Sequence, residues 1–141
     1  MKKQGWEKIL SDYIESHLNT PFRWGKSDCV LFACHGANKI LEKNLSPIIK
    51  SYGAYNSRNA GEIIKESGGS ICNIFDKHFK RHDNILMAKR GDIVVIMYEG
   101  QEAAGIIDLT GRNVACKGKK GVSFQPLKEV IAAWDIEEGI D

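Results

Sequence analysis

Within Pro21-Phe22-Arg23-Trp24-Gly25-Lys26-Ser27-Asp28-Cys29 the chain delivers a cysteine to a helix start, behind a loop that contains glycine. That setting bears on nucleophilic chemistry. The unpaired amides and the positive dipole end of a helix N-terminus favour thiolate over thiol, and the thiolate is the attacking species. Ser27 or Asp28 is the natural cap, since a short side-chain oxygen accepts from an otherwise unpaired amide. The plainer reading of the same residues is a capped helix with an inert cysteine, because free cysteine is among the most buried residue types.

A nucleophilic cysteine also needs a base within hydrogen-bond reach. His17 lies near the end of the first helical segment, just before the loop, and is the one candidate that could approach Cys29; a histidine settled on the helix C-terminal dipole is the plainer reading. His35 is six positions after Cys29, about 240° around a helix, and faces away from the thiol. His78 and His82 stand at i, i+4, but His-Phe-Lys-Arg-His lacks the glutamate of the zinc motif and has no evident third ligand, so no metal is expected. Lys117-Gly118-Lys119-Lys120-Gly121 lacks the phosphate-loop pattern and reads as a charged hairpin tip. Trp6 and Trp134 fall in periodic segments and read as core, whereas Trp24 stands in the motif loop. Cys34, Cys72 and Cys116 form no C-x-x-C pair, and all four cysteines are expected to be free.

The elements that must position these groups change character along the chain. Trp6, Ile9, Leu10, Tyr13, Ile14 and Leu18 recur at helical spacing, and Asn19-Thr20-Pro21 ends that helix. A second helix is expected from about Asp28 to Glu42; Cys29, Ala33, Gly36, Ala37 and Ile40 give it a face of small residues suited to close approach to a sheet. Asn59 to Ser67 reads as a short helix and Ile71 to His82 as another. The last third alternates short Val- and Ile-rich runs with turns at Glu99-Gly100, Thr110-Gly111 and Lys119-Lys120-Gly121, predicting strands near 92–98, 103–109, 113–117, 122–125 and 132–136, with a short helical piece at 127–130. Helices first and an antiparallel meander afterwards make an α+β fold, read as one domain over residues 1–141.

Composition excludes several classes. Hydrophobic residues are 43% and charged residues 27% of the chain, which is globular rather than disordered. Twenty basic against eighteen acidic residues argue against nucleic acid as a partner. No apolar run approaches the roughly 20 residues of a membrane span, and the N-terminal segment has no signal-peptide pattern.

The series Pro21-Phe22-Arg23-Trp24-Gly25 with Asp28-Cys29, then Arg90-Gly91-Asp92-Ile93, then Ala103-Ala104-Gly105-Ile106, resembles the NlpC-type cell-wall peptidases, compact relatives of papain. The resemblance covers most of residues 6–136. It implies N-terminal helices and a Cys-bearing central helix packed on a C-terminal antiparallel sheet or half-barrel, with Cys29 as nucleophile and Phe22, Trp24, Asp28 and Ala103 around the cleft. The chain departs from the family at the residues that do the work. Ala103 stands where the family has its base histidine, no histidine occurs around Ala115 or Cys116 to orient it, and Phe22 replaces the tyrosine that assists the oxyanion. These departures, with the ending Ala133-Trp134-Asp135-Ile136, are similar to a group of small proteins from phage and prophage tail gene regions. That resemblance implies a non-catalytic component of a tail tip, made in the host cytoplasm and located in the virion tail. Its expected partners are other tail proteins, and it needs no cofactor. Two alternatives stand beside it: a cysteine peptidase or amidase on peptidoglycan peptides using Cys29 with His17 as displaced base, and a peptidoglycan-binding module.

Overall fold

A computed structural model of the chain describes residues 1–20, 28–47, 49, 70–118 and 120–139. Helix α1 (Trp6–His17) forms where the apolar spacing predicts it and buries Leu10, Tyr13 and Ile14. Helix α2 (Cys29–Ile40) begins at Asp28, whose backbone is extended and whose carboxylate accepts from the Leu31 amide. Eight of its twelve residues are buried, so it is the central helix, held between α1 and the sheet. Gly36 makes that position possible. A Cβ there would overlap Ile106 Cδ1 and lie 3.0 Å from Tyr13 Cε2.

Six strands build one antiparallel sheet: β1 (Phe79–Arg81), β2 (Ile93–Tyr98), β3 (Gln101–Ile107), β4 (Asn113–Gly118), β5 (Gly121–Pro126) and β6 (Val130–Gly139), in the order β1-β6-β2-β3-β4-β5. Glu99 and Gly100, at φ 51° and 79°, make the tight β2–β3 hairpin, a turn that needs positive φ at both positions. A 3₁₀ turn at Leu127–Glu129 carries the chain from the β5 edge back to β6 beside β2. One face of the sheet presents Ile93, Val95, Ala104, Ile106, Ala115, Ala132 and Trp134 to the helices. The other holds a smaller cluster of Val94, Ile96, Ile107, Val114, Cys116, Val130 and Ala133, packed by Ala88, Ala103 and Leu127. Burial on both faces explains why β2 reads as a continuous apolar run rather than an alternating one. The fold is α+β, as the order of the periods implies.

One predicted element is different. The helix expected over Ile71 to His82 is only α3 (Ile71–Asp76), started by Ser70, and the chain then enters β1. Long-range partners override the local pattern. Asp76 accepts from Trp134 Nε1 at 2.8 Å and from Arg81 Nε and Nη2 at 3.0 and 3.1 Å, while Phe79 is buried in the core and paired with β6. His78 and His82 are therefore not neighbours on a helix. His82 Nε2 instead meets the fully buried Asp92 at 2.9 Å, and the same carboxylate accepts from the Lys89 amide at 3.0 Å. The Gly-Asp that opens β2 is thus an anchor for the strand. Asn59 to Ser67 lies outside the described residues.

Candidate functional site

Cys29 is the first residue of α2, half-buried and packed against the main core. The Ala104 amide is near enough to draw the Cys29 pKa down. Antiparallel pairing between β3 and β4 runs only from Gly105 to Ile107, so Ala104 lies just past its end. On the other side of the same residue, the Cys116 thiol donates to the Ala104 carbonyl at 3.4 Å. Gly105, opposite Cys116, has no room for a Cβ, which would lie 2.8 Å from Cys116 Sγ and 2.7 Å from the Ala115 carbonyl. Two thiols thus lie on either side of one residue, Ala104.

The electrostatics at this place favour thiol. Burial pushes Cys29 up from its ordinary value to about 11, and the Asp28 carboxylate adds to the rise; the amides of Ala104, Val30 and Cys29 itself pull the other way and are outweighed. The helix start supplies the expected stabilisation of thiolate, but desolvation of the charged form is larger. Cys116 is also raised, by burial, by Cys29 and by Glu129, whose Oε2 is buried with no hydrogen-bond partner among the described residues. Burial likewise pushes Cys34 up to about 12. All four cysteines are free.

Ala103 precedes Ala104 in β3 and is partly buried against the smaller core cluster, on the face of the sheet away from the helices. Asp28 is buried and caps α2. His17 lies elsewhere. Its Nδ1 is 3.3 Å from Lys117 Nζ, and its ring packs on Tyr13 and Phe32 with centroids 4.6 and 5.7 Å apart. Burial lowers the His17 pKa, and Lys117, His35 when protonated, and Lys39 lower it further. Phe22 and Trp24 lie outside the described residues.

Matching the chain to known protein families gives one family model, covering residues 1–136: a domain of unknown function, DUF6950. The chain belongs to the DUF6950 family. No curated protein matches this DUF6950 chain. Two cavities among the described residues, of about 370 and 270 Å³, lie along α1 and neither is lined by Cys29. Among the described residues of the domain, no group of three or more His, Cys, Asp or Glu is placed to hold a metal, and no helix is long and apolar enough to cross a membrane.

Sequence reasoning missed Lys117. It lies in β4, at the end of the strand expected over 113–117, and what the charged-tip reading did not foresee is its burial, with only 5% of it exposed. Its place in the pattern, two residues after Ala115 on the face that meets the helices, was the available signal.

Proposed function

We propose that this protein is a structural component of a phage or phage-like tail tip, built on an NlpC-like fold that has given up catalysis. Its site is the Asp28-Cys29 start of α2 against β3, with Ala103 in the place of a base. One observation carries the reading: burial at the start of α2 lifts the Cys29 thiol to about 11, against the pull of the nearby amides. At neutral pH such a thiol is ionised to about one part in ten thousand. The His17 imidazole, the candidate displaced base, is engaged with Lys117. The residues kept from the family pattern have structural work to do here: Asp28 caps α2, Gly105 makes room for Cys116, and Asp92 anchors β2.

On this reading the partners are other tail proteins and the place of action is the virion tail. Cys29→Ala in the phage or particle that carries the gene is expected to leave assembly and infectivity unchanged. Loss of infectivity with normal folding and incorporation would overturn the reading in favour of a cysteine hydrolase. Retention of the purified protein on peptidoglycan sacculi would favour the binding module instead.

A further inference from the structure

Lys117 is 5% exposed, and among the described residues it has no carboxylate partner. A buried ammonium must be compensated in some other way. Its Nζ lies 3.3 Å from His17 Nδ1 and 3.3 Å from the His17 carbonyl, with the Phe32 ring centroid at 5.6 Å. The carbonyl belongs to the last turn of α1, the negative end of that helix. An ammonium has only donors, so His17 Nδ1 must offer a lone pair and carry its proton on Nε2.

The same hairpin grips α1 a second time. The Val122 amide donates to the Leu18 carbonyl at 3.2 Å, and Gly121 lets that carbonyl approach, since a Cβ there would overlap it. Lys117 on β4 and Val122 on β5 therefore close the end of α1 together.

We propose that His17 and Lys117 form a pH-sensitive clamp between the end of α1 and the β4–β5 hairpin, closed while His17 is neutral and released when it is protonated. Protonation turns the Nδ1 acceptor into a donor and sets a second cation 3.3 Å from the ammonium. The other charged groups acting on His17 are His35 and Lys39 of α2. Asp12, which shares a cavity with it, is paired with Lys8 at 2.8 Å. Tyr13, the remaining titratable neighbour, has its hydroxyl donating to the Phe32 carbonyl. The burial and the cations that oppose protonation lower the His17 pKa, so the clamp adds stability above the ordinary histidine value, and that stability is lost as pH falls through the lowered one.

The test follows the His17 ring by proton NMR and the Val122 amide by hydrogen exchange, corrected for the intrinsic rate, from about pH 7.5 down to pH 4.5. Val122 protection is expected to fall roughly tenfold in step with His17 titration. His17→Gln keeps an oxygen acceptor for Lys117 but cannot titrate, and its Val122 protection should stay level. Lys117→Met should raise the His17 midpoint, a readout that needs no intact clamp. Level protection in the wild type, an equal fall in His17→Gln, or an unmoved midpoint in Lys117→Met would each overturn the clamp.

Discussion

At Cys29 two opposing effects act on one sulfur. The helix start offers amides that stabilise a thiolate, and desolvation with the neighbouring Asp28 carboxylate opposes it; the balance leaves the pKa at about 11. With Cys34, Cys72 and Cys116 replaced by alanine, the alkylation rate of Cys29 should climb between about pH 9 and pH 11, with no plateau nearer neutrality. A plateau below pH 8 would mean an activated nucleophile. Because the folded value is raised, Cys29 favours the native state below its ordinary value near 9 and loses that contribution as pH climbs to about 11. Asp28→Asn separates the two roles of its side chain. The amide oxygen still accepts from Leu31, but the negative charge is gone, so the alkylation profile should move to lower pH. An unmoved profile would show that burial acts alone. The place of Cys29 was legible from Asp-Cys before a small-residue helix. Its protonation state was not, because burial by β3 is a contact between residues 75 positions apart.

Between elements, the packing of α2 on β3 turns on Gly36. Alanine there gains about 1 kcal/mol of helix propensity, yet its methyl would overlap Ile106 and crowd Tyr13. Overpacking of this kind costs about 1–3 kcal/mol, so Gly36→Ala should be destabilising in urea unfolding despite the better helix former. The small face of this helix was readable in sequence, as were α1 and the five strands from β2 to β6, because each carries its own period and its own turn residues. Strand β1 was not. Its three residues have no period, and what decides their conformation is Asp76, which joins Arg81 to the indole of Trp134. Asp76→Ala leaves the Trp134 N–H, on a fully buried ring, without its acceptor. The expected loss is about 2 kcal/mol in urea unfolding, beyond what an exposed ion pair supplies. An effect below about 0.5 kcal/mol would mean that β1 is held by its backbone pairing alone.

Over the whole molecule, the proposed NlpC-like reading has the chain keep that family's structural residues and lack its base, and one substitution tests it. Ala103 and Gly105 share one face of β3, Cys116 sits over Gly105 on that face, and the intervening Ala104 faces the helices, where its amide draws the Cys29 pKa down. Ala103 faces the smaller cluster rather than α2, so an imidazole from Ala103→His reaches the thiol only if the start of α2 lies at the edge of β3, as an NlpC-type site requires. An imidazolium beside Cys29 favours thiolate, so its alkylation at pH 7 should rise by roughly tenfold or more. Ala103→Gln, of similar size and uncharged, controls for opening of the site and should leave the rate where it was. A folded Ala103→His protein that reacts no faster than the glutamine variant would detach Ala103 from the base position and remove the main support for an NlpC-like ancestry. A faster one would make the tail-tip reading more specific. The scaffold would then be a peptidase framework in which the pairing of α2 with the sheet is preserved for its shape, while Ala103 keeps the cysteine quiet.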